Sequence, residues 1–444
     1  MITTVGEKIK TLRKELNMTQ SQLAGGEMTK SMLSQIENNV SNPSMKTLQY
    51  IAKILNKPIS YFLEDELEDT LSLKQNYESR RELESKIKNL NTLIDSNQIE
   101  EAKEQGEKLI NSDIAPIKNF KLYGEILFKL GNALVALGDF DGSKKFLSLS
   151  IKSYIDDFLY IEAAKAYVEL AKIYYLEFNY EECLNISNKA FELYYKNITS
   201  EPLFEIELYY YRILILSAKG NINDAIKDLE TALELSNKTS IYYKTDEFYR
   251  ILGFFNYLKG NRAEFTNCID KALQFANFSK NNDCLSKINI ILATDALDSG
   301  NPEKAIEYAR ISRDFIGNDV YTYNLILAKA YYTLHQYELA YKNIIKVNYS
   351  SKEMHKYDYL NMWSGRVYEG LIFNKLGKHN DAIDSIKLAI AKMSIFDDSK
   401  FLADAYKSLS EVYSDINDYQ NAFSYLKKYN EIQDRINKDS SILF

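Results

Sequence analysis

The chain has 444 residues, enough for two or three domains, and its 45% hydrophobic and 26% charged residues are ordinary for a globular protein. Only 16 Gly and 5 Pro interrupt it, which favours helices over turn-rich sheets. The net charge of −7 is uneven: residues 1–60 carry eight Lys/Arg against four Asp/Glu, a net of +4, while the remainder carries 47 against 58, so the head suits phosphate contacts and the acidic body does not.

From the start of the chain, Ile9, Leu12 and Leu16 recur at helical spacing and predict a first helix. Thr19 is a natural N-cap for a second, which carries Leu23 and Ala24. Gly25 and Gly26 permit a sharp turn, because Gly tolerates positive φ. Thr29 caps a third helix with Met32, Leu33 and Ile36 as its inner face. Asn42 with Pro43 starts a fourth, with Leu48, Ile51, Ala52 and Leu55 inward. Tyr61, Phe62 and Leu63 close a fifth, and five helices in about 65 residues make a self-sufficient core.

On Leu12-Arg13, Thr19-Gln20, Leu23-Ala24, Leu33-Ser34-Gln35-Ile36-Glu37 and Asn42-Pro43-Ser44, residues 5–63 resemble the Xre (Cro/cI repressor) helix-turn-helix family. The turn after Ala24 is one residue shorter than in the phage repressors and is similar to the form found in peptide-pheromone receptors of Gram-positive bacteria. The resemblance implies that helix three enters the major groove. It places Lys30, Ser31 and Gln35 at base-reading positions and Thr19, Gln20 and Lys46 at phosphate positions. Lys can bond guanine O6/N7, and Gln can bond adenine N6/N7. Thr29, Ser34 and Asn38 complete the expected DNA-facing set, and Arg13 with Glu37 matches a family salt bridge that braces helix one against helix three.

A charged stretch from Glu66 to Leu83 is expected to be a connecting helix, with a linker over 66–85. Beyond it a pattern recurs about every 40 residues. Turn residues Asn97, Gly138, Phe178, Gly220, Gly260, Gly300, His335, Gly377 and Asn417 are each followed, five positions on, by Ala102, Ser143, Cys183, Ala225, Phe265, Ala305, Ala340, Ala382 and Ala422. Seven positions before the turn lies another small residue at Gly131, Ala171, Gly253, Ala293, Ala328 and Gly370. Small residues at both slots let paired helices approach closely. The pattern resembles the tetratricopeptide repeat, in about nine copies, with a period longer than the usual 34 and with Phe265 overfilling a small slot. The expected fold is all-α: a five-helix helix-turn-helix domain (1–65), the linker helix, and a right-handed tetratricopeptide superhelix (86–444) that binds peptide and dimerises.

In such repeats the first helix of each hairpin lines the groove. Counting back from the turns gives inward-facing Asn132, Lys172, Tyr175, Tyr210, Arg250, Phe254, Tyr257, Lys329, Tyr332 and Asn374 as the expected peptide-binding residues. Amides bond a peptide backbone, aromatic rings cover its side chains and cations take its carboxylate. Val168, Ile290, Leu325 and Val367 at equivalent positions read as packing between repeats.

Three cysteines with no metal spacing, Cys183, Cys268 and Cys284, suit a reducing cytoplasm with free thiols. The first residues lack the apolar core of a signal peptide, and the most apolar stretch, Tyr209 to Ala218, is about half the ~20 residues of a membrane helix. No glycine-rich phosphate loop, nucleophile elbow or HExxH helix is present, so no enzyme, metal or cofactor is expected. Head and repeats together resemble the cytoplasmic peptide-pheromone receptors of the Rap/Rgg/NprR/PlcR/PrgX group. The resemblance implies a homodimeric quorum-sensing transcription regulator whose partners are double-stranded operator DNA and a short signalling peptide. A protein-binding tetratricopeptide scaffold and a ligand-independent repressor remain alternatives at this level.

Overall fold

The structure is a computed structural model that describes residues 4–63, 70–112, 120–197, 199–316, 321–349, 355–396 and 398–438. The chain divides into two compact units, Met1–Ser200 and Glu201–Phe444. Among the described residues every regular element is a helix, 23 in all.

The first unit begins with five helices: α1 (Val5–Glu15), α2 (Gln20–Ala24), α3 (Lys30–Glu37), α4 (Met45–Ile54) and α5 (Ile59–Leu63). Their core is Ile9, Leu12, Leu23, Ala24, Met28, Leu33, Ile36, Leu48, Ile51, Ala52, Leu55 and Phe62. Two expectations are corrected here. Met32 is 47% exposed and Met28 fills the core instead, because the turn before α3 points Met28 inward. Helix α4 starts after Ser44, whose hydroxyl accepts the Thr47 N–H at 3.1 Å, so Pro43 precedes the helix and does not open it. Gly6 brings α1 against α3; a Cβ there would lie 2.1 Å from the Ile36 carbonyl oxygen.

Three hairpins follow in this unit: α6 (Thr70–Asp95) with α7 (Ile99–Ile110), α8 (Phe120–Ala136) with α9 (Phe140–Asp156), and α10 (Tyr160–Leu176) with α11 (Tyr180–Lys196). Helix α6 runs unbroken through position 85, and its Leu83, Ile87, Leu90 and Leu93 pack with Leu127, Leu130 and Phe146. Glu66, at the expected start of the linker, lies outside the described residues. On the head, Gln49 Nε2 donates to the Phe158 carbonyl at the turn between α9 and α10, at 3.5 Å.

The second unit holds six more hairpins. They are α12 (Pro202–Lys219) with α13 (Ile222–Thr239), α14 (Thr245–Leu258) with α15 (Arg262–Ser279), and α16 (Asn282–Asp298) with α17 (Pro302–Ile316). Then come α18 (Tyr321–Thr333) with α19 (Tyr337–Ile344), α20 (Lys356–Lys375) with α21 (His379–Met393), and α22 (Lys400–Asp415) with α23 (Tyr419–Lys438).

All nine turn residues read from the sequence have left-handed backbone, with φ between +58° and +82°. All nine residues five positions on are buried, from Ala102 to Ala422. The two slots of a hairpin touch: Ser143 Oγ donates to the Gly131 carbonyl at 2.6 Å, Cys183 Sγ to Ala171 at 3.0 Å, and Ser410 Oγ to Ala422 at 2.7 Å. An added Cβ at Gly370 would stand 2.5 Å from Ile386 Cγ1, so the small residues are a steric requirement. Phe265 is accommodated: it is 4% exposed and lies against the Tyr257 ring at 5.8 Å.

Candidate functional site

In the head, the third helix carries its polar residues outward. Lys30, Ser31 and Gln35 are exposed along one side of α3, and Ser34 is half-buried beside them. Thr29 is the N-cap, its hydroxyl accepting the Met32 N–H at 3.1 Å, so it shapes the end of α3 that faces outward. Thr19 forms a capping box with Gln22: Gln22 N–H reaches the Thr19 hydroxyl at 3.2 Å and Thr19 N–H reaches the Gln22 amide oxygen at 2.7 Å. Lys46 is exposed in the first turn of α4. Asn38 caps the far end of α3 and its Oδ1 accepts from Lys10 Nζ at 3.0 Å.

The presentation of α3 depends on a buried ion pair. Arg13 Nη2 donates to Glu37 Oε2 at 2.8 Å and its Nε to Oε1, while Nη1 reaches the Met18 carbonyl at 2.8 Å. Gln20 Nε2 donates to the same Glu37 oxygen at 2.8 Å. Gln20, expected at a phosphate position, also links α2 to α3 through this bond. Burial works to raise the Glu37 carboxyl, but the bonds from Arg13 and Gln20 and the charges of Arg13 and Lys10 outweigh it and hold it below its usual value.

The repeat residues fall in two sets, one in each unit. In the first unit, Asn132 is half-buried and its Oδ1 has no hydrogen-bond partner. Lys172 is ion-paired with Glu169 at 2.6 Å, and Tyr175 stands edge-on to Tyr180 at 5.5 Å.

In the second unit the first helices bring aromatic and charged groups together. Tyr210 packs edge-on to Phe248, and Lys244 Nζ lies 5.0 Å from its ring centre. Arg250 Nη2 donates to Glu247 at 2.6 Å, and burial opposes both charges; each outweighs that cost for the other, so Glu247 lies below and Arg250 above the usual value. Phe254 stacks on Tyr257 at 6.2 Å, and the Tyr257 hydroxyl donates to Asp298. Lys329 Nζ reaches Ser364 Oγ at 3.2 Å and Asn361 Oδ1 at 3.3 Å, and lies 5.1 Å from the Tyr368 ring centre. Burial pulls Lys329 down to about 8, against the pull of Asp298 and Asp404. Tyr332 meets Tyr368 edge-on at 5.9 Å. Asn374 is buried, donates to Asp415 at 2.7 Å and lies 2.7 Å from His379 Nδ1. Val168, Leu325 and Val367 are buried, in keeping with packing.

Sequence reasoning missed Tyr357, Tyr368 and Phe401, which join this cluster from α20 and α22. They lie outside the counted positions, so periodicity carries no signal for them.

A buried brace holding up an exposed polar helix defines a helix-turn-helix DNA-binding domain, followed by tetratricopeptide-like hairpins. Residues 9–62 match the family described as Helix-turn-helix. An immunity repressor protein of Bacillus phage phi105 is 41% identical over 64 residues, which are 14% of this chain and 44% of that protein. The chain therefore spans less than half the length of this curated relative. Among solved structures, the apo form of the quorum sensor NprR from B. thuringiensis has a TM-score of 0.53 at 12% identity, covering 80% of this chain and 99% of that one. A Rap protein complexed with competence and sporulation factor has a TM-score of 0.50 at 14% identity, covering 81% and 99%. At these identities the likeness is one of fold. No described helix is long and apolar enough to cross a membrane.

Proposed function

We propose that this chain is a quorum-sensing transcription regulator of the cytoplasm. Its head reads double-stranded operator DNA as part of a homodimer, and a short signalling peptide bound by its repeats alters that reading. The observation that carries the DNA half is the exposed row Lys30, Ser31 and Gln35 on a helix braced from behind by Arg13, Glu37 and Gln20. One head offers one recognition helix, so a symmetric site read by two heads follows, with half-sites about 34 Å apart or a multiple of that. The peptide half is supported by the aromatic, amide and cationic groups on the first helices, and by the fold shared with a Rap protein solved in complex with competence and sporulation factor. No catalytic step enters this reading.

Operator selection from randomised duplex DNA tests it, followed by sedimentation of the full chain with the selected site. A two-fold symmetric sequence bound by two copies is expected. Binding without sequence preference, with equal loss at every site when Lys30 or Gln35 is removed, would sink the regulator reading. Synthetic peptides cut from short secreted reading frames next to the gene then test the switch through their effect on operator affinity.

A further inference from the structure

In stacked hairpins each repeat ordinarily touches only its neighbours. The first turn of α20 departs from this within the second unit. Helix α20 belongs to the eighth hairpin, yet it meets α12 of the fourth and α14 of the fifth. The contact with α14 is aromatic: Tyr357 stands edge-on to Phe254, centroids 4.8 Å apart at 81°. The other side of Tyr357 is edge-on to Phe401 of α22, at 5.6 Å and 71°. Edge-to-face contacts are directional, so a ring held by two of them has a defined seat. A charged ledge lies beside the seat. His355 Nδ1 is 3.5 Å from Asp358 Oδ2, and burial raises the Asp358 carboxyl while the charges of His355, Arg250 and Lys287 pull it back. The cations of α14 and α16 thus face the anion at the start of α20.

We propose that the first turn of α20 is a clasp: Tyr357, seated between Phe254 and Phe401, fastens the fifth hairpin to the eighth and ninth across their first helices. The clasp occupies a face that the proposed function assigns to peptide. Ligand entry and release of the clasp are therefore linked, because both claim the space between Phe254 and Phe401. That linkage rests on the peptide reading; the clasp itself does not.

The test needs no ligand. Nitroxides are placed by Glu234→Cys on α13 and Ser424→Cys on α23, both exposed, in the full chain, whose native cysteines are all buried. Pulsed electron resonance then reads the distance between them. Tyr357→Phe keeps both ring contacts and should leave the distance distribution unchanged. Tyr357→Ala should shift it to longer distances and broaden it, with the helical circular dichroism retained. The dye bis-ANS should brighten on Tyr357→Ala and not on Tyr357→Phe, as the apolar face opens. Should Tyr357→Ala fail to fold, Phe401→Ala removes one side of the seat and should give the same lengthening. Identical distributions and dye signals for the parent and the alanine variants would overturn the clasp, whatever becomes of the peptide reading.

Discussion

Arg13 and Glu37 join α1 to α3 through two N–H···O bonds from one guanidinium to one carboxylate, with the Glu37 side chain wholly buried. A buried pair is informative when one partner is removed, because the survivor is left as an uncompensated charge. Glu37→Ala should cost about 3–5 kcal/mol of head stability. Arg13→Met with Glu37→Leu should restore much of it. Thermal unfolding of the full chain, followed by operator binding, checks this; a neutral Glu37→Ala would mean that α3 holds its place without the brace. Because Glu37 sits below its ordinary value, its contribution is present above the usual carboxylate range and disappears as pH falls through the lowered value.

Gln35 is exposed on α3, and under the proposed function its amide reads an adenine edge. Gln35→Ala should cost about 1–3 kcal/mol at a single base pair and relax preference there. Lys46→Ala should weaken binding evenly and reduce the salt slope by about one. Binding to a panel of single-base operator variants at several salt concentrations separates the two. A uniform loss for Gln35→Ala would remove it from the base readers.

Gly25 combines φ of +52° with ψ of −136°, and an added Cβ would stand 2.1 Å from the Tyr50 hydroxyl oxygen. Only glycine adopts that backbone readily, so Gly25→Ala should lose about 1–3 kcal/mol. Tyr50→Phe in the same chain removes the clash but not the backbone strain. Partial recovery in urea unfolding is therefore expected; full recovery would show that the clash alone mattered.

Lys329, pulled down to about 8 from an ordinary 10.5, gives up its proton in the folded chain before it does so unfolded. Between these values the unfolded chain binds more protons, so the contribution of this group to stability rises with pH. The rise should run from about pH 8 to about pH 10. Above that, unfolded tyrosines ionise while Tyr332 and Tyr368, raised to about 12, do not, and the slope reverses. Lys329→Met should flatten the lower limb. An unchanged pH profile in that variant would place the titration elsewhere.

The repeats were legible because their requirement is local. A left-handed turn residue and a small slot five positions on are fixed by steric contact within one hairpin, so spacing exposes them even where Phe178 and His335 stand in for glycine. In the head, Thr19 and Thr29 were readable as caps for the same reason. The misplacements came from features that spacing does not encode. Met28 and Met32 are four apart and equally apolar, and the direction of the turn chooses between them. The bond from Gln20 to a carboxylate 17 positions away is likewise absent from any local pattern. The cluster around Lys329 depends on helices from different hairpins facing one another, which no period of 40 can predict.

Each hairpin carries its own left-handed corner, set by residues within that hairpin and not by how many hairpins surround it. Duplicating or deleting one whole hairpin leaves the others locally intact. The span from α14 to α22 is different, because Phe254, Tyr357 and Phe401 meet only if the number of hairpins between them stays fixed. Inserting or removing a hairpin inside this stretch would part the three rings, while the corners on either side would keep their geometry.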